Sequence, residues 1–81
     1  MNAPTFLRLS DLAPGQSGQI VSSDASPSLD HALQALGCFP GEAVEFLGAA
    51  PFGDPVRVRV GNSIIGLRRT EARHLSVEIP K

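Results

Sequence analysis

Apolar and polar residues alternate most strictly over Val56, Val58 and Val60, with Arg57 and Arg59 between them. A period of two puts the valines on one face of a strand and the arginines on the other. The segment is therefore predicted to be a strand with one core face and one wet face. Gly61-Asn62 follows as a two-residue hairpin turn. It sets Val60 opposite Ser63, Val58 opposite Ile65 and Val56 opposite Leu67, so the apolar faces of the two strands match. Ile64 is left on the wet face beside Arg57 and Arg59. Leu75, Val77 and Ile79 alternate with Ser76 and Glu78 as a last strand that Pro80 stops.

The first half of the chain is less regular. Leu7, Leu9 and Leu12 ahead of Pro14-Gly15 read as a lead-in and a turn, with Ser10 and Asp11 able to start a single helical turn. Strands are expected over residues 18–22 and 43–47. Between them lies a helix, with Ser26 as its cap, Pro27 at its first position, and Leu29, Ala32, Leu33 and Leu36 recurring at helical spacing. Gly37 suits the left-handed residue that ends a helix, and Cys38 then packs back onto Leu33 in a Schellman stop. Phe39-Pro40-Gly41-Glu42 has the residues of a type II turn. Thr70 is expected to cap one more helical turn running to His74. About five short strands, tight turns, one inserted helix and a short C-terminal helical turn predict a mainly β fold. The expected form is a small antiparallel barrel, closed or partly closed.

Length adds that there is one domain, residues 1–81 with a core at about 7–79, because a chain of 81 residues cannot bury two cores. The single cysteine, Cys38, cannot form an internal disulfide, and no apolar leader segment follows Met1, so a cytoplasmic protein is expected. No apolar run approaches the roughly 20 residues that span a bilayer, so direct membrane insertion is not expected. The formal charge of −1 conceals a polarity. Up to Asp54 the only basic residue is Arg8, whereas Arg57, Arg59, Arg68, Arg69, Arg73 and Lys81 all follow it. Folding either separates the two sets into faces of opposite sign or interleaves them.

The chemistry-bearing residues point away from catalysis. There is neither a phosphate loop nor a nucleophile elbow, and Cys38 is accounted for by the helix stop. Metal binding has His31, His74 and Cys38 as its available soft or borderline ligands, but they lack cluster spacing. No cofactor is expected to be required; a divalent metal has those three as its candidate ligands, and a surface histidine can also share an ion with a neighbouring chain using a carboxylate such as Asp30. Arg57, Arg59, Arg68 and Arg69 raise nucleic-acid binding, which the slightly negative net charge and the absence of Tyr and Trp argue against. The same absence removes the aromatic groove that holds proline-rich peptides.

Three stretches together carry a resemblance: Leu36-Gly37-Cys38-Phe39-Pro40-Gly41, Ala50-Pro51-Phe52-Gly53-Asp54-Pro55, and Leu67-Arg68-Arg69 before Glu71-Ala72. With the lead-in from Leu9 and Leu12 to Gly15 and Gly18, the order and spacing resemble the FeoA family, ferrous iron transport protein A. That resemblance implies an SH3-like β-barrel, not an enzyme. It implies a role in ferrous iron uptake by protein–protein contact with the FeoB membrane transporter, through its GTP-binding or membrane domain, from the cytoplasmic side. The protein would then be peripheral to the inner membrane through its partner, and weak homodimerisation is compatible with this role. The surface expected to meet the partner comprises Pro51, Phe52 and Asp54 in the loop with Arg57, Arg59 and Ile64 on the strands. An alternative implied by the same barrel is a small metal-binding sensor or carrier related to the C-terminal domain of DtxR-type repressors. The chain departs from the family pattern at Asp30 and His31, at Cys38-Phe39 and at Phe52. Phe52 has two readings, a plug for one barrel end or an anchor for a partner.

Overall fold

The computed structural model describes residues 3–80. Its strands are β1 (Thr5–Arg8), β2 (Ser17–Ser23), β3 (Ala43–Ala49), β4 (Val56–Val60), β5 (Ser63–Leu67) and β6 (Leu75–Ile79). The helices are α1 (Pro27–Ala35) and α2 (Arg69–Ala72). All six strands join one antiparallel sheet in the order β1-β6-β2-β3-β4-β5. The mainly β architecture is the expected one, with one strand more than the pattern gave. β1 lies in the segment read as a lead-in, and β1 and β5 are the two edges of a sheet that the described strands leave open.

The hairpin register matches the sequence reading, with Val60 opposite Ser63, Val58 opposite Ile65 and Val56 opposite Leu67. Val56, Val58 and Val60 are buried and the intervening arginines are exposed. With Leu9, Ile20, Leu33, Phe46, Leu75 and Val77, the valines form one apolar core, and no polar or charged side chain among the described residues is buried with them. Burial on this scale stabilises by about 2 kcal/mol for each fully buried aliphatic side chain.

Helix α1 starts and stops where its residues dictate. The Ser26 hydroxyl accepts from the Leu29 N–H at 3.3 Å, and Pro27 opens the first turn. At the other end Gly37 has φ +98°, while the Cys38 N–H donates to Leu33 O at 3.0 Å and the Gly37 N–H to Gln34 O at 2.9 Å. These are the two bonds of the Schellman motif, and Cys38 is buried in the core. The apolar stripe is narrower than its spacing implied. Leu33 is buried and Leu29 packs against the core, but Leu36 is 44% exposed and Ala32 faces solvent. Nine residues of helix give only about two and a half turns, too few for four stripe positions to reach one small sheet.

The second helical turn corrects the assigned cap. Thr70 lies inside α2, and the N-cap is Arg68, whose backbone N–H donates to Glu71 Oε1 at 2.9 Å. A glutamate three residues after the cap can satisfy that donor better than a hydroxyl already within the helix.

Candidate functional site

The loop between β3 and β4 carries Phe52, the most exposed large apolar side chain among the described residues. Ala50 N–H donates to Pro55 O at 3.0 Å and closes the loop base, and Gly53 N–H donates to Ala50 O at 2.8 Å across Pro51 and Phe52. Phe52 takes φ +74°, a left-handed conformation that costs an L-residue with a side chain about 1–2 kcal/mol. Its ring is fully exposed. The plug reading is therefore overturned: Phe52 fills no end of the sheet, and its apolar ring stands in solvent on a strained, left-handed backbone.

Arg69 braces this loop. Its Nε donates to Gly53 O, its Nη1 donates to Ser10 O at 2.7 Å, and its backbone N–H donates to Asp54 Oδ1 at 3.0 Å. Residues from the loop, the lead-in turn and the start of α2 are thus tied by one side chain and one carboxylate. Sequence reasoning placed Asp54 on the contact surface and missed Arg69 as its support, because two of the three acceptors are backbone carbonyls.

Along β4 and β5, the wet face bears Arg57 and Arg59 with Ile64 and Gly66 opposite them, Ile64 facing Arg59 and Gly66 facing Arg57. Ile64 is 52% exposed. Arg59 Nη1 meets Glu45 Oε1 of β3 at 2.8 Å, whereas Arg57 and Arg68 make no ion pair among the described residues. The loop enters β4 directly, so Pro51, Phe52 and Asp54 lie at one end of this face, and Ile64 lies towards the hairpin turn at the other.

Charge is interleaved rather than split. Besides Arg59 and Glu45, Arg8 meets Asp24 at 3.3 Å and His74 Nδ1 lies 2.8 Å from Asp24 Oδ1. The hydrogen bond from His74, aided by the Arg8 and His74 charges, holds the Asp24 carboxyl below its ordinary value. An open groove of about 420 Å³, lined by residues including Gly18, Val44, Glu45, Arg59 and Glu78, was not foreseen from the sequence.

The three metal candidates do not converge. His31 is exposed on α1, His74 is engaged by Asp24, and Cys38 is buried, which pushes its thiol up to about 11. A metal needs the thiolate, and burial withholds it. Among the described residues no three His, Cys, Asp or Glu side chains group closely enough to hold an ion. The donors among the described residues do not assemble into an internal metal centre.

A FeoA domain model matches residues 7–79. The chain belongs to the FeoA family. The solution structure of iron(II) transport protein A from Clostridium thermocellum is 38% identical, with a TM-score of 0.85 over 90% of this chain and 45% of that one. The chain therefore spans less than half the length of that protein. FeoA of Stenotrophomonas maltophilia, crystallised with zinc and described as a procaryotic SH3 domain protein, is 31% identical with a TM-score of 0.75, covering 88% of both chains. A manganese-dependent transcriptional repressor shares the fold alone, at 18% identity and a TM-score of 0.85 over 98% of this chain and 44% of that one. A comparison with curated proteins gives no match. The SH3-like fold implied by the sequence resemblance is thus the fold of this FeoA family member. No helix among the described residues is long and apolar enough to cross a membrane.

Proposed function

We propose that this FeoA family member is a noncatalytic cytoplasmic accessory of ferrous iron uptake that acts by contact with a FeoB-type membrane transporter. The observation that carries the reading is the Phe52 ring, fully exposed at positive φ on a loop braced by Arg69. A backbone cost of that kind persists where the surrounding structure over-determines it, which is a mark of functional loops. The contact face comprises Pro51, Phe52 and Asp54 with Arg57, Arg59 and Ile64. Within it Arg57 has no intramolecular ion pair among the described residues, and Arg59 is partly neutralised by Glu45.

The module acts by favouring one state of the transporter. A tenfold preference for one state needs about 1.4 kcal/mol of differential affinity, which one aromatic anchor supplies. The metal-sensor alternative draws on the zinc-bound relative and on the fold shared with repressors. The scattered donors of this chain weigh against it.

The test is capture of the tagged protein from detergent-solubilised membranes of its source cell under anaerobic, ferrous-replete conditions. Recovery of a ferrous iron transporter with the parent protein, lost on Phe52→Ala and on Arg57→Glu at equal folded fraction, is the expected result. Recovery undiminished by both substitutions overturns the face. Absence of the transporter from the parent capture overturns the partner.

A further inference from the structure

The free edge of β5 has two backbone positions whose hydrogen-bonding groups point away from the sheet. The two-residue turn makes Val60 and Ser63 a hydrogen-bonded pair, so the inward groups of β5 belong to Ser63, Ile65 and Leu67. The opposite side of β4 agrees, since the Gly61 N–H, two residues on from Arg59, donates to Ala43 O of β3 at 3.3 Å. Odd positions of β4 face β3 and even positions face β5. Ile64 and Gly66 therefore direct both their N–H and C=O groups outward. Among the described residues neither takes part in any turn, loop or cap hydrogen bond, and β5 pairs with no strand except β4. The next outward donor, the Arg68 N–H, is already taken by Glu71.

Edges of this kind are normally blunted by lysine or proline, and β5 contains neither. Its wet face has a gap instead. Gly66 presents no side chain opposite Arg57, and a Cβ built there meets nothing nearer than Val56 O at 3.9 Å. A side chain on a strand added beside β5 could pass over Gly66 and reach Arg57, about 10 Å away across two strand spacings. Arg57 and Arg68 make no ion pair among the described residues, so that side chain is a carboxylate. Two residues further along the added strand, the side chain falls beside half-exposed Ile64 and is apolar.

We propose that the β5 edge takes an extended acidic segment of a protein partner by β-strand addition. In the antiparallel sense that segment reads Asp or Glu, any residue, then an apolar residue. Backbone bonds to Ile64 and Gly66 supply affinity, and Arg57, Arg68 and Ile64 read the side chains. The proposal rests on the reading of this face as a protein-docking surface and names the chemistry of what docks. A second copy of this chain fits the edge less well, because paired β5 strands would offer the arginines no carboxylate.

The test titrates the 15N-labelled protein with a synthetic peptide carrying a central Glu-Thr-Val segment, following amide hydrogen exchange. The expected result is slowed exchange at Ile64 and Gly66, with Ile65 unchanged because its N–H is already bonded to Val58. Gly66→Pro should abolish binding and Arg57→Glu should weaken it about tenfold. Gly66→Val keeps every N–H and closes the gap, so it should weaken the glutamate peptide selectively if Gly66→Pro does not fold. Absence of peptide binding, binding without protection at Ile64 and Gly66, or equal binding of the Lys-Thr-Val counterpart overturns the proposal. So does protection that rises with protein concentration alone, which would assign the edge to self-association. Membrane capture separates the two readings. Transporter retained by Gly66→Pro alongside a peptide that never binds sinks strand addition alone. A protected edge with no transporter captured sinks the uptake role alone.

Discussion

Arg69 donates from Nε to the carbonyl oxygen of Gly53, the residue that follows the exposed Phe52. The same guanidinium reaches Ser10 O, so one planar fork fixes the loop against the lead-in turn. A lysine has its donors on one nitrogen and cannot reproduce the two-nitrogen fork that meets these acceptors. Arg69→Lys should lower stability by about 1 kcal/mol, or ~4–8 °C in Tm. It should also speed amide exchange at Gly53 while leaving Val58 protected, which exchange measured by NMR would show. Unchanged exchange at Gly53 would mean the loop holds itself.

Phe52 and Val58 should separate binding from stability. Val58 is fully buried, and Val58→Ala removes two methyl groups from the core, costing about 2 kcal/mol and ~10 °C in Tm. Phe52→Gly relieves about 1–2 kcal/mol of left-handed strain but adds about 0.5–1 kcal/mol of unfolded-state entropy. Its Tm should equal or slightly exceed the parent's in calorimetry. A clear loss of Tm in Phe52→Gly would show packing that an exposed ring does not have.

Gly18 and Gly66 should respond oppositely to the same methyl group. A Cβ at Gly18 would overlap the Glu78 carbonyl oxygen and come within 2.8 Å of Val77 Cγ1, forcing β2 from β6. Gly18→Ala should cost about 3 kcal/mol, and Gly66→Ala less than about 0.5 kcal/mol, both read from urea midpoints. Comparable midpoints would show that β2 and β6 approach less closely than this.

Acid should weaken the fold partly through Asp24. Its folded-state carboxyl lies below the ordinary value of 3.8, chiefly through the hydrogen bond from His74. The contribution is fully present above pH 3.8 and is lost as pH falls through the lowered folded-state value. Asp24→Asn should therefore be less stable than the parent near neutrality, with the gap closing below about pH 3.8. Denaturant melts across that range would reveal a constant gap if the contact were sterically rather than electrostatically useful. The effect is small because the carboxylate is solvent-exposed.

The β4–β5 hairpin, the cap and stop of α1 and the Pro40-Gly41 turn were legible because each is decided within a few neighbouring residues. β1 was not, since it is four residues long, none of them buried, and its register partner for Thr5 is Ile79. No local pattern encodes a pairing across that much chain. The exposed Phe52 was legible as an apolar tip, but its direction depends on a positive φ that phenylalanine itself does not favour. Whether the opposed charges of the two halves would mix was equally undecidable from spacing. Arg59 finds Glu45 only because β3 and β4 lie side by side.

The position of β6 sets the order of assembly. It lies between β1 and β2, so the last strand in chain order separates two of the first. A nascent chain that has emerged only as far as α2 can form the β2–β3–β4–β5 meander, while β1 has nothing to pair with and the flank of β2 stays open. Insertion of one late strand then closes both gaps together, which makes folding slow relative to a meander of the same length and ties completion to a strand synthesised after the other five.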